Sequence, residues 1–210
     1  MDALFEPVLQ LVDLGGPVLS ILLGVSVVAL ALVLLKLWQH HAAHVGRRGR
    51  LQRALDRWDA GDEEGAAVEV AKSRHFLKPV IELGMNLSER ADFSDRLESE
   101  ADRRIAPLEG GFRVLDTIAQ LSPLLGLLGT VLGMIEAFQA LQNAGDQVDP
   151  SQLAGGIWVA LMTTAAGLSV AMPASVALSW FEGRIDAERA FADYAISILI
   201  APAETGRDGA

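Results

Sequence analysis

The sequence predicts an all-α polytopic membrane protein with three transmembrane helices, long second and third helices extended into the cytoplasm, and a helical cytoplasmic domain. Three observations lead there. Of 210 residues, 51% are hydrophobic and only 21% charged, with a mean hydropathy of +0.32, more apolar than a water-soluble domain of this size usually is. Three stretches run without charge for about the 20 residues that a helix needs to cross some 30 Å of hydrocarbon. Lys and Arg crowd some flanks of these stretches and are missing from others.

The first charge-free run, Pro17 to Leu35, ends at Lys36. Gly15-Gly16-Pro17 suits its start, since Gly interrupts what precedes and Pro fits a first helical turn. The acidic stretch before it, with Asp2, Glu6 and Asp13, reads as a short amphipathic segment at the interface. It lacks the positive n-region of a secretory signal, and the run has no small-residue cleavage site, so this span is expected to be retained. Lys36, His40, His41, His44, Arg47, Arg48, Arg50 and Arg53 follow the run, and no Lys or Arg precedes it. The positive-inside rule then places the N-terminus outside and this flank in the cytoplasm.

From Arg47 to Glu109 the pattern is helical. Leu51, Leu55 and Trp58 share one face, Asp59-Ala60-Gly61 turns the chain, and Asp62 opens a second helix with acids in its first turn, together a helical hairpin. A later helix starts near Asp92 or Ser94 and runs through Leu97, Ile105 and Leu108 towards the second span, bent at Pro107 or at Gly110-Gly111. The connector Asn143 to Gln152 carries Asp146 and Asp149 without Lys or Arg and belongs outside. Arg184 and Arg189 return the C-terminus to the cytoplasm. Beyond the third span, Trp180, Phe181, Ile185, Phe191, Tyr194 and Ile198 form an apolar stripe, and the charges between them, Glu188 included, forbid a fourth span. The stripe needs a partner, expected on the cytoplasmic extension of the second span. A frayed tail is expected from Glu204.

The resulting division is an external N-terminal segment over 1–15, transmembrane helices over 16–37, 113–141 and 153–179, a cytoplasmic helical domain over 38–112, an external loop over 142–152, and a cytoplasmic C-terminal helix and tail over 180–210. A formal net charge of -10 argues against nucleic acid, which needs a basic stripe. Cys is absent, so disulfides and thiolate chemistry are excluded. With no phosphate loop, nucleophile elbow or His-Glu-x-x-His pattern, neither an enzyme nor a cofactor is expected.

Chemistry is left to hydroxyls in the second and third spans. Thr130 lies thirteen residues past Thr117 and Thr164 eleven past Leu153, which puts both at a depth of roughly 15 to 20 Å in antiparallel helices. Gly126, Thr130 and Gly133 share a face with Gly129 adjoining, and Ala160, Thr164, Gly167 and Ala171 share another. These are small-residue seams that let helices approach closely. Pro123 and Pro173 read as kinks whose freed carbonyls neighbours satisfy. A Thr hydroxyl does not titrate near neutral pH, so the acid for any proton chemistry has to come from another chain.

Gly126-Leu127-Leu128-Gly129-Thr130-Val131-Leu132-Gly133 and Thr163-Thr164-Ala165-Ala166-Gly167-Leu168, with Pro173 following, resemble the signature of the MotA/TolQ/ExbB proton-channel family. Three spans and this length resemble its ExbB and TolQ branch. The resemblance implies a bacterial inner membrane with a periplasmic N-terminus, and a homopentamer enclosing an ExbD- or TolR-like single-span partner that carries an Asp. A TonB- or TolA-like transducer would receive the motion driven by proton flow. It also implies that Thr130 and Thr164 face the partner's Asp, with Thr163 beside the second, and that Pro123, Gly126, Gly129, Gly133, Ala160, Gly167, Ala171 and Pro173 serve subunit or partner packing.

The sequence departs from that pattern at Val159, where many members carry Glu. Glu136 reads as an interfacial acid in contact with water, with partial substitution for that Glu as the alternative. His40 and His44 have a spacing open to metal, but interfacial anchoring accounts for them and no metal is expected. Asp116 and Glu109 attract cations at the cytoplasmic mouth or simply solvate their helices. An ExbB-like role in outer-membrane import, a TolQ-like role in envelope maintenance and a non-conducting membrane scaffold all remain open at this point.

Overall fold

A computed structural model of the chain describes residues 2–87, 93–143 and 150–201, with side chains from residue 16 onward and without that of Gln152. The expected connector acids Asp146 and Asp149, the helix start at Asp92 and the tail from Glu204 lie outside the described residues. So do the side chains of Asp2, Glu6 and Asp13. Every described element is a helix: α1 (Asp2–Ala42), α2 (Gly49–Asp59), α3 (Glu63–Ala71), α4 (Lys78–Leu87), α5 (Ser94–Glu109), α6 (Phe112–Asn143) and α7 (Pro150–Ile200). Three stretches are long and apolar enough to cross a bilayer: Gly16–Ala42, Ser94–Asn143 and Leu153–Ile200. The chain is a membrane protein.

It divides into two compact units. The first holds Met1–Leu34 and Gly111–Ser179. Within it α1 breaks at Gly16, whose φ of 61° only glycine adopts cheaply, and Pro17 opens the helix that follows. Ala29 on α1, Leu115 and Ile118 on α6, and Ala174 and Leu178 on α7 form its buried cluster. Most of the remaining apolar surface stays open, including Val27, Leu30, Leu124, Leu161 and Val176, as expected of helices whose outer faces meet lipid or other chains rather than water.

The second unit holds Leu35–Gly110 and Trp180–Ala210. The turn between α2 and α3 has Gly61 at φ 81°, and the Asp62 carboxylate caps α3 by accepting the Gly65 N–H at 2.9 Å. Leu51, Leu55 and Trp58 are buried as their spacing requires. α5 keeps Pro107 in its last turn and ends at Gly110-Gly111, where Gly111 takes φ 91°. Two of its terminal carbonyls, on Pro107 and Leu108, accept from the buried Lys36 ammonium at 3.3 and 3.2 Å, a cation where a helix C-terminus favours one.

Two features depart from the sequence reading. α4 has no counterpart in it; its buried residues, Val80, Ile81 and Gly84, are too few to announce a period. The C-terminal stripe of α7 also differs in part: Phe181, Ile185 and Phe191 are buried as expected, but other residues complete the covered face. Trp180 and Tyr194 are 49% and 45% exposed, whereas Phe181, Ile185, Glu188, Ala192, Ala195 and Leu199 are buried. Those buried positions step by four and three, the spacing of a helix packed along one seam, and the small alanines in it are outweighed on a hydropathy reading by the aromatic side chains beside them. Part of the stripe's partner is Leu51, Leu55 and Val70 of the α2–α3 hairpin with Ile81 of α4, and part is Leu97 and Ala101 of α5.

Truncating Leu97, which is fully buried in this core, is expected to cost about 2–5 kcal/mol. Thermal unfolding of Leu97→Ala against Val68→Ala, at a half-exposed side chain on α3, checks it.

Candidate functional site

The hydroxyl-bearing segments of α6 and α7 pack against each other within the first unit. Their backbones approach so closely that side chains are excluded. A Cβ on Gly129 would stand 2.5 Å from the Thr163 hydroxyl, one on Gly167 2.5 Å from the Ser122 carbonyl oxygen, and one on Gly126 3.0 Å from the Thr163 carbonyl oxygen. Gly133 faces Ala160 with less compression, at 3.3 Å. Approach of this kind is the helix association that small residues permit in hydrocarbon, where apolar burial supplies no net force.

Thr163 occupies the centre of the seam at 1% exposure and donates to the Ala160 carbonyl at 2.8 Å and, more weakly, to that of Gly126 at 3.4 Å. Thr164 is half-buried and donates to the same Gly126 carbonyl at 3.3 Å. Ser122, also buried, donates to Ile118 at 2.7 Å. Thr130 is half-buried, bonds the Leu127 carbonyl at 2.6 Å and opens onto a hollow of about 650 Å³ shared with Met134, Phe138 and Gln142. No ionisable side chain occurs in α6 from 117 to 135 or in α7 from 150 to 181. The seam therefore offers oxygen atoms and no charge.

The structure thus brings Gly126, Gly129, Gly133, Ala160, Thr163, Thr164 and Gly167 together, and the surface they meet belongs to the same chain. Ala171 is buried, Pro123 half-buried and Pro173 exposed. The expected α7 face had Thr164 between Ala160 and Gly167; the packed face has Thr163 at its centre and Thr164 at its margin. A helix carries both choices within one turn, and only the position of α6 selects between them. Glu136 is exposed, and Glu109 accepts from Arg189 at 2.7 Å, so it is engaged in an ion pair. His40 has Nδ1 at 2.9 Å from the Lys36 carbonyl and its ring 5.0 Å from that of Phe181.

A second polar constellation, in the other unit, was not read from the sequence. Glu188 of α7 is fully buried. Its Oε1 accepts from the Gly46 N–H at 2.6 Å and from Arg48 Nε at 3.1 Å, and its Oε2 lies 3.2 Å from His75 Nε2. The His75 Nδ1 accepts from the Leu77 N–H at 3.2 Å, which assigns the ring proton to Nε2, facing the carboxylate. Burial pushes the Glu188 carboxyl up, but His75, the Gly46 N–H and Arg48 together outweigh it and hold the group below its ordinary value. The missed signal was the four-and-three spacing that puts Glu188 in register with Phe181, Ile185 and Ala192.

The model of the MotA/TolQ/ExbB proton channel family matches residues 69–193. Over 190 residues the chain is 30% identical to a putative biopolymer transport protein ExbB homolog of Methanothermobacter thermautotrophicus, covering 88% of this chain and 66% of that protein. It is 53% identical over 64 residues to biopolymer transport protein exbB1 of Vibrio cholerae, 30% of this chain and 28% of that one. With the Tol-Pal system protein TolQ of Haemophilus influenzae it shares 42% over 86 residues, 41% and 37% of the two chains. The matches span two thirds or less of these relatives' lengths.

Two outcomes are expected. Gly129→Val, forced against Thr163, should lower the thermal midpoint markedly, while Gly155→Val, where a Cβ meets nothing within 4 Å, should leave it nearly unchanged, because the helix penalty of valine's β-branching is no larger than that of the glycine it replaces. Glu188→Ala should cost about 3–5 kcal/mol by stranding its buried partners. Since the folded carboxyl titrates below the unfolded one, its contribution is complete above the ordinary glutamate value of 4.5 and is lost as pH falls through the folded value. Thermal melts of the native chain and Glu188→Gln on either side of that pH check this: the native chain should lose more stability on acidification.

Proposed function

Because the chain belongs to the MotA/TolQ/ExbB proton channel family, in its ExbB/TolQ branch, we propose that it is the channel-forming subunit of a proton-driven motor. In this reading 16–37, 113–141 and 153–179 cross a bacterial inner membrane with the N-terminus periplasmic and the C-terminus cytoplasmic. Copies of the chain, five as the family resemblance implies, enclose an ExbD- or TolR-like span carrying an Asp. Thr130 and Thr164 line the route of that carboxyl, with Thr163 beside the second. The observation that supports it most directly is a charge-free seam whose hydroxyls bond only backbone carbonyls.

A hydroxyl that donates to a carbonyl keeps its oxygen lone pairs, so it accepts from a protonated carboxylic acid without rearrangement and donates to a carboxylate after turning its O–H. A charge at mid-bilayer costs about 2.5 to 3.5 kcal/mol on insertion scales. One interhelical hydrogen bond returns about 1 to 2. The guest Asp therefore moves in its protonated form, and each proton crossing supplies roughly 2.3 kcal/mol per 100 mV. Thr130, beside an open hollow, is the more accessible of these hydroxyls, and Thr163 supports Thr164 from inside the seam.

The motor is ExbB-like, energising a TonB-like transducer for outer-membrane import. A TolQ-like role is separated from it by which transducer copurifies with the complex. Thr130→Val and Thr164→Val, each reconstituted with the single-span partner in liposomes, are expected to assemble normally and to lose at least tenfold in proton flux. Flux at the native level in both variants would remove the assigned roles, and flux indifferent to the partner's Asp would mark the chain as a scaffold.

A further inference from the structure

The second unit contains a hollow of about 650 Å³, within the range of about 300–1,000 Å³ typical of ligand sites, whose lining includes Arg47, Arg50, Arg53, Lys72 and Arg74. Five of the chain's 17 Lys and Arg meet there, although the chain as a whole carries a net charge of -10. No carboxylate is among the lining residues. Arg53 pairs with Glu69 at 3.2 Å, but Arg47, Arg50, Lys72 and Arg74 have no carboxylate partner within ion-pair distance among the described residues. So dense a set of like charges is repulsive in isolation, and an anion relieves it.

Topology alone does not account for this set. Arg47, Arg50 and Arg53 follow the apolar stretch ending at Ala42 closely enough to act as positive-inside residues, but Lys72 and Arg74 lie 30 and more residues beyond it, outside the span of about 15–20 in which that rule operates. Folding brings them in. Glu188 holds both walls: it accepts from Gly46 and Arg48, the two neighbours of Arg47, and faces His75, the neighbour of Arg74. Ser73, between Lys72 and Arg74, has its hydroxyl oxygen accepting the His75 N–H at 3.3 Å. Arg50 bridges the walls by donating to the Lys72 carbonyl. A buried carboxylate thus aims exposed cations, which is how a binding site is preorganised.

We infer that this hollow binds the phosphate of an anionic glycerophospholipid. The ligand chemistry is a phosphate oxyanion, for which Arg offers a planar fork of donors. A membrane source is favoured because Arg47 is only five residues past the end of an apolar stretch able to cross the bilayer, and basic pockets flanking such helices take anionic headgroups. The inference is independent of the threonine route.

The test uses the full chain, purified in detergent and stripped of lipid, with phosphatidylglycerol, phosphatidylcholine and soluble glycerol phosphate as probes, and bound lipid counted by native mass spectrometry. Phosphatidylglycerol should be retained over phosphatidylcholine, less so as salt rises. The triple variant Arg47→Gln/Lys72→Gln/Arg74→Gln should weaken phosphatidylglycerol binding by at least about tenfold, at about fivefold for each charge near a membrane surface. A triple of equal charge change elsewhere, Arg57→Gln/Arg96→Gln/Arg103→Gln, should leave it within twofold. Equal loss in both triples, or loss in neither, overturns the site. Displacement by glycerol phosphate at the lipid's own affinity overturns the lipid assignment in favour of a free phosphate. Should the pocket triple not fold, the single variants Arg47→Gln and Arg74→Gln, both at exposed side chains, decide: a loss of about fivefold in each supports the site, and none in either overturns it.

Discussion

The contact between α6 and α7 sets the terms for the membrane unit. Neither Gly129 nor Gly167 has room for a methyl group, because a Thr163 hydroxyl and a Ser122 carbonyl stand where it would go. In hydrocarbon, such proximity has to be driven by dispersion and hydrogen bonding, since lipid tails are as apolar as the helices. The Gly126 carbonyl illustrates the second term. It accepts from hydroxyls of α7, and an interhelical polar contact results without any charge being placed at that depth.

This arrangement explains how a segment can carry hydroxyls and still insert. Each described hydroxyl of the seam is satisfied by a carbonyl, so none is stranded. Their lone pairs remain. A partner's carboxyl arriving at such a surface would find acceptors already in place, and the absence of a Glu at position 159 leaves that carboxyl as the titrating group in the proposed route.

The other unit is organised by a different device, one buried carboxylate. Glu188 accepts from a backbone N–H in the turn after α1 and from an arginine beside it, and faces a histidine before α4, and these lie far apart in the chain. Buried ion pairs contribute little net stability compared with apolar replacements, yet removing one partner of such a pair is costly. Here the buried carboxylate is what lines up Arg47 with Lys72 and Arg74.

Much of this was legible before any coordinates. Three spans, the break at Gly15-Gly16-Pro17, the α2–α3 hairpin and the end of α5 at Gly110-Gly111 are local consequences of hydropathy, period and turn chemistry. α4 was not, being short and weakly patterned. Nor were two details of register: that Thr163 is the more deeply buried of the two α7 threonines at the seam, and that Glu188 joins the expected Phe181 and Ile185 on the buried side while Trp180 and Tyr194 stay exposed. By itself the sequence determined which segments are helical, which are apolar enough to enter a bilayer and that no acid accompanies the membrane threonines. Only the tertiary structure decided which face of each helix is covered and that a glutamate is enclosed. A helix presents several adjacent faces of similar hydropathy within one turn, and the neighbour that packs against it makes the choice.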